Sequence, residues 1–186
     1  MSKSRLEERG NALSSFCINK PNMQILEIAM RLMFLALAAL TLAAGAVRAE
    51  SIKGVASVID GDTIEIHGTR IRMAGIDAPE SRQECQRADG SSWRCGQKAA
   101  LALSDHIGRS LLACEPSTKD RYGRIVAMCF LGAEDINRWM VAQGWAVAYR
   151  QYSRAYVEDE ERAHTARLGI WSGRFVMPAD WRASNR

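Results

Sequence analysis

Between Val58 and Glu80 the sequence VIDGDTIEIHGTRIRMAGIDAPE carries five carboxylates, Asp60, Asp62, Glu65, Asp77 and Glu80, with two arginines, Arg70 and Arg72. Carboxylates brought together repel, and a cation is the usual remedy. Oxygen donors, with no histidine or cysteine beside Asp62, Asp77 or Glu80, suit a hard ion such as Ca2+ or Mg2+. A strand end capped by solvated acids accounts for the same residues without an ion. An EF-hand is excluded: counted from Asp60, Ile64 falls where that loop needs a ligand and Glu65 where it needs glycine. Downstream, the string DRYGR places Asp120, Arg121, Tyr122 and Arg124 around Gly123. Guanidinium groups grip phosphate oxygens two at a time and stay charged, so Arg72 and Arg124 beside a hard cation fit phosphoryl chemistry. Alone, DRYGR is equally a polar turn.

Elements must bring these residues together. Apolar alternation predicts strands at about 52–59, 63–67 and 70–76, separated by the turns Asp60-Gly61 and Gly68-Thr69. In the second and third strands Ile64, Ile66, Ile71 and Met73 face one way, and Arg70 and Arg72 the other. The start of the second strand and the end of the third then lie side by side, which brings Asp62 towards Asp77 and Glu80. Residues 81–94 form a long polar loop, unusual unless functional or pinned. A helix is expected at 97–107, strands at 110–115 and 124–131, and helices at 133–143 and 153–168, the last capped by Ser153. Ile136, Trp139 and Met140 share a helix face. Five strands and three helices in this order predict an α+β fold, an OB-type five-stranded Greek-key barrel.

The first 49 residues read as an address. An apolar run from Leu32 to Ala46 follows Arg31, and Val47-Arg48-Ala49 offers small residues at a signal-peptidase site. The run is shorter than the roughly 18–20 apolar residues of a membrane-spanning helix. A leader of normal length points to Met23 or Met30 as the start, which would leave Cys17 outside the protein. Three segments are expected: leader 1–49, domain 50–174 and C-terminal extension 175–186. The leader holds six of the chain's 25 Lys and Arg and three of its 21 Asp and Glu; the remainder, with 19 and 18, carries a net charge of +1. An overall basic field therefore says nothing of nucleic acid, and any polyanion site must come from local arginines. Four cysteines remain, and export favours disulfides. Of three pairings, Cys85–Cys95 across the polar loop and Cys114–Cys129 between successive strands are expected. A zinc site is the rival, without a CxxC pair or nearby histidine to support it.

The strings VIDGDTIEI, IRMAGIDAPE, DRYGR, INRWMVAQGWAVAY and GIW stand in the order and near the spacing of the thermonuclease family, which this chain resembles from about Val55 to Trp171. The resemblance implies an SNase-like OB-fold nuclease. Asp62 and Asp77 are similar to its carboxylate ligands of Ca2+, and the backbone carbonyl of Ala78 to a third ligand. Glu80 resembles the residue assigned as general base, Arg72 and Arg124 the pair that binds the scissile phosphate, and Asp60 a neighbour of the metal. Arg121 and Tyr122 resemble contacts to a terminal phosphate, and Tyr149 a residue that stacks near the base. The activity implied is Ca2+-dependent hydrolysis of DNA and RNA, single-stranded or frayed, leaving 3′-phosphate ends. The enzyme would be exported, periplasmic or secreted, monomeric, and free of the membrane once processed.

The rival readings are a non-catalytic nucleic-acid-binding OB module and an envelope role in exopolysaccharide (succinoglycan) assembly. The presence of Arg72, Glu80 and Arg124 argues against the first, and no sugar-binding signature supports the second. Trp139 and Trp145 are read as core, His67, His106 and His164 as surface or helix-face residues, and the run EDEER from Glu158 as a solvated helix face. Phe175 and Trp181 could return the tail to the barrel.

Overall fold

Ile64, Ile66, Ile71 and Met73 are all buried, with Glu65 and Arg70 turned outward, so the period-two reading of the central hairpin holds. The computed structural model describes residues 50–185 and, before them, residues 23, 24, 27, 28 and 30–33, which are helical. The chain divides into two units, Met1–Val47 and Arg48–Arg186, and every strand of the barrel belongs to the second. Most of the apolar run, the expected cleavage site and Cys17 lie outside the described residues. Among the described residues no helix is long and apolar enough to cross a membrane.

The strands are β1 (Ile52–Val55), β2 (Ser57–Asp60), β3 (Thr63–Ile66), β4 (Thr69–Met73) and β5 (Ile76–Asp77), the short pair β6 (Cys85–Gln86) and β7 (Ser92–Trp93), then β8 (Leu111–Lys119), β9 (Ile125–Leu131), β10 (Glu134–Asp135) and β11 (Val147–Ala148). The main sheet runs β1-β8-β9-β4-β3-β2. β1 and β2 are one stretch of chain broken at Ala56, and they pair with opposite edges, β8 and β3. That kinked first strand closes the sheet into a five-stranded barrel, as the OB reading predicts. The one parallel pair among the described residues, β4 with β9, sets Arg72 beside Val126.

Among the described residues of this second unit the α-helices are α1 (Cys95–Ile107), α2 (Ile136–Ala142), α3 (Val157–Thr165) and α4 (Pro178–Ser184), with a 3-10 turn at Gly169–Ser172. α1 buries Cys95, Ala99, Leu103 and Ile107 at four-residue steps, so one stripe faces the barrel. This core also takes in Ile136, Met140, Val141 and Leu112, with Trp139 and Trp145 packed at its edge, as expected.

Several boundaries differ from those read from the sequence. α1 begins at Cys95, drawn back by the disulfide to Cys85. α2 begins at Ile136 because the Asp135 side chain caps the Arg138 amide at 2.9 Å. Ser153 caps no helix; its hydroxyl accepts from the Ala155 amide in a turn, and α3 starts at Val157. The tail helix α4 has no counterpart among the expected elements. Both expected disulfides are present, with Cα–Cα separations of 5.6 Å for Cys85–Cys95 and 4.0 Å for Cys114–Cys129.

EDEER is not a solvated face. Glu158 and Glu161 are exposed, but Asp159 and Glu160 are buried. Asp159 accepts from Arg138 and Arg162, while Glu160 pairs with Arg150 and accepts from the Ala148 amide at 2.9 Å. Buried carboxylates need such partners. Glu160 thereby steadies β11, the strand whose Val147 lies opposite Asp77.

Candidate active site

Asp62 lies in the turn just before β3 and Arg72 nears the end of β4, and the antiparallel register sets Thr63 opposite Arg72. The Arg72 guanidinium donates from Nη1 to Asp62 Oδ1 and from Nη2 to Asp77 Oδ1, both at 2.8 Å. One planar cation thus ties together two carboxylates that lie 15 positions apart in sequence. Asp62 is further fixed by the Thr63 hydroxyl at 3.0 Å and the Ala78 amide at 3.0 Å. Asp77 sits in β5, braced by β11, and both acids are nearly inaccessible, at 3% and 2% exposure.

The loop after β5 carries Glu80. Its amide bonds the Gln83 side chain at 3.3 Å, and its backbone rests against α1 so closely that a Cβ on Gly96 would stand 1.7 Å from the Glu80 carbonyl oxygen. Only glycine lets the helix approach there. Asp60, at the end of β2, accepts from the Gly61 amide at 3.0 Å and the Ser81 hydroxyl at 3.2 Å. Burial pushes the Asp60 pKa up to about 6, with repulsion from Asp62 and Glu80 adding to it. Burial likewise raises Asp77, against the pull of its arginine partners. For Arg72, burial opposes the charge, but Asp62 and Asp77 outweigh it and hold the pKa above the usual value.

A residue that sequence reasoning missed completes the pocket. Arg182, from α4, donates from Nη1 to Asp77 Oδ1 at 2.8 Å and to Glu80 Oε1 at 2.9 Å, and from Nη2 to Asp77 Oδ2 at 3.0 Å. The tail was expected to return to the barrel through Phe175 and Trp181. Phe175 does pack, against Trp171 at 5.0 Å beside the Cys85–Cys95 bridge. The polar loop and tail are joined by paired hydrogen bonds between Gln86 and Arg174 and by the buried Gln83 donating to the Val176 carbonyl at 2.7 Å. An arginine over a hundred positions from its partner leaves no local signal.

The DRYGR turn stands apart. Arg124 donates from Nε to Asp120 Oδ2 at 2.7 Å, and among the described residues its side chain pairs with this acid rather than with Asp62, Asp77 or Glu80. It precedes β9 by one residue. Alternation from Val126, the partner of Arg72, puts Arg124 on the face that Arg72 uses. Arg121 and Arg124 lie 4.9 and 5.6 Å from the ring centre of the exposed Tyr122. Tyr149 donates its amide to the Gly75 carbonyl at 2.8 Å, two residues from Asp77, and its ring meets Tyr152 edge-on at 4.8 Å. His106 stacks on Trp139 at 3.8 Å and pairs with Glu134, and His164 meets Trp171, so both imidazoles lie on helix faces outside this site.

Asp62, Asp77 and Glu80 thus meet two guanidinium groups, and Asp60 lies near enough to be repelled by Asp62 and Glu80, an arrangement with two negative charges in excess when all four acids are ionised. The family described as "Staphylococcal nuclease homologue" matches residues 70–173. This chain belongs to the staphylococcal nuclease family. Its fold class is that of the family, and with it comes the enzyme class, a nuclease hydrolysing phosphodiester bonds. A "Succinoglycan biosynthesis protein ExoI" of Rhizobium meliloti is 42% identical over 73% of this chain and 72% of its own length. An "Uncharacterized endonuclease" of Haemophilus influenzae is 31% identical over 89% of this chain and 88% of its own. A "Micrococcal nuclease" of Shigella flexneri is 32% identical over 71% and 80% respectively.

Proposed function

We propose that this nuclease is a Ca2+-dependent, exported enzyme that cleaves DNA and RNA with little regard for sugar or sequence. The observation that carries the reading is the close pairing of Asp62 and Asp77 on Arg72, with Glu80 beside them. Among the described residues no cluster of three or more His, Cys, Asp or Glu is arranged to hold a metal by itself. The pocket nevertheless fits a hard divalent ion: its donors are all oxygen, its excess charge is negative, and it already attracts a side-chain cation, Arg182. Asp62 and Asp77 would hold the ion, with the Ala78 carbonyl and water filling its shell. Bound there, Ca2+ would neutralise charge on a phosphodiester oxygen.

The chain's own residues supply the rest. A guanidinium has five N–H donors, and the two that Arg72 gives to Asp62 and Asp77 leave three for a phosphate. Arg124, released from Asp120, would grip the same group. Each such preorganised donor contributes on the order of 10²–10³ in rate. Glu80 takes a proton from the attacking water as its oxygen bonds to phosphorus. The bond to the 5′ oxygen then breaks as that oxygen takes a proton from solvent water, leaving a 3′-phosphate and a 5′-hydroxyl. Tyr149 and Tyr122, with Arg121, offer aromatic and cationic contacts to unpaired nucleotides, and stacking of about 1–3 kcal/mol per base is tolerant of sequence. Two disulfides support an oxidising compartment outside the cytoplasm.

Digestion of single-stranded DNA and RNA, with Ca2+ and with chelator, tests the proposal. Wild type is expected to lose activity on chelation, and Glu80→Ala and Arg124→Ala to lose about 10²–10³ or more. Undiminished digestion by both variants would reject these roles.

A further inference from the structure

Resting on the reading of Asp62 and Asp77 as a cation site, we propose that Arg182 is that site's built-in counter-cation. It occupies the carboxylates while the divalent ion is away and must leave them to admit it. The tail helix α4 thereby becomes a latch that cation binding opens.

Asp77 accepts one hydrogen bond from Arg72 and two from Arg182, and these use both of its oxygens. A carboxylate offers about four lone-pair positions, so one remains while Arg182 is in place. Asp62 is likewise engaged three times, by Arg72, Thr63 and the Ala78 amide, in bonds made within the barrel's own strands and the residue after β5. Arg182 is the occupant that comes from outside the barrel. Its third bond holds Glu80 Oε1, so the same guanidinium immobilises the candidate base.

The helix that carries it is built to come away. Of the seven residues in α4 only Pro178 is buried, and Met177 just before it is exposed. Trp181 is half-buried, so apolar packing contributes only at Pro178 and this one ring, and a helix of this length has little stability of its own. The tail is anchored upstream instead, at Gln83–Val176 and Gln86–Arg174. Between that anchor and the chain end, the ion pairs of Arg182 with Asp77 and Glu80 are, among the described residues, the polar side-chain contacts that join α4 to the pocket. Residues 174–185 lie beyond the segment matched by the family, 70–173.

Competition fixes the outcome of a binding experiment. If Arg182 holds the carboxylates about nine-tenths of the time, the apparent affinity for an ion is lowered about tenfold. Calorimetric titration of the full chain with Ca2+ is expected to show about tenfold tighter binding by Arg182→Gln than by wild type. Asp180→Asn, an exposed change on the same helix, is expected to bind as wild type does. Hydrogen exchange on the unaltered protein provides a readout that needs no variant: Ca2+ saturation should speed exchange of amides 181–184 and leave β3 and β4 protected. Equal or weaker Ca2+ binding by Arg182→Gln, or undiminished protection of α4 at saturation, would overturn the latch. If both proteins bind Ca2+ alike and cleave nucleic acid, only the latch falls. If neither binds Ca2+, the cation site falls with it.

Discussion

Two aspartate–arginine pairings, built from the same chemistry, behave differently in this molecule. Arg72 joins Asp62 and Asp77 between paired strands, with side-chain exposures of 15%, 5% and 2%. Arg124 pairs with Asp120 inside a single turn, at 25% and 18%. Backbone register fixes the first, and its members come from β4, β5 and the turn into β3. The second rests on a local hairpin in which Asp120 Oδ1 also accepts the Tyr122 and Arg124 amides and Gly123 takes φ +80°. A buried pair is rigid and costly to break, whereas a pair near the surface exchanges partners cheaply. The difference suits the roles proposed: one arginine organises the acids in advance, and the other must leave its own acid to meet a phosphate.

Breaking the buried pair should produce the largest effect. Arg72→Ala strands Asp62 and Asp77 side by side and is expected to cost about 3–5 kcal/mol of stability, besides abolishing cleavage. Denaturant unfolding and a nuclease assay measure the two losses. Next comes the Cys114–Cys129 bridge. Replacing both cysteines with alanine releases a loop of 15 residues, for an expected loss of about 3 kcal/mol, read as a lower unfolding midpoint with the fold retained. Arg124→Ala should sharpen the comparison from the other side. Stability should change by at most about 1 kcal/mol, while the rate falls by about 10²–10³. A fall in stability as large as that of Arg72→Ala would erase the distinction between the two regions.

The smallest effect concerns pH. Burial works to raise the Asp120 pKa, but hydrogen bonds from the Arg124 side chain and from the Arg124 and Tyr122 amides outweigh it and leave the pKa lowered. The unfolded chain then binds the proton more readily. The stabilising contribution of Asp120 is fully present above its ordinary value of 3.8 and fades as pH falls through its lower folded value. Asp120→Asn should flatten that part of the stability profile below about pH 4, measured as unfolding temperature against pH, and change little at neutrality.

The hairpin of β3 and β4 and the barrel order were legible because the alternation of Ile64, Ile66, Ile71 and Met73 is local and its period unambiguous. The meeting of Asp62 with Asp77 followed from the same hairpin. EDEER was misread because composition cannot tell a solvated acid from one paired with an arginine contributed by another element. Asn137 passed unnoticed for a similar reason. It is buried, and its amide bridges the Ala74 and Ala127 carbonyls at 2.9 and 3.2 Å, tying the bend between β4 and β5 to β9.

By itself the sequence determined what short-range periodicity and residue chemistry can encode: the strands and an acid-rich corner with an arginine beside it. Only the tertiary structure decided which cation occupies that corner. Arg182 reaches Asp77 across 105 positions, through a tail anchored on a disulfide-pinned loop. A contact of that kind depends on where whole elements dock, and no periodicity along the chain records it.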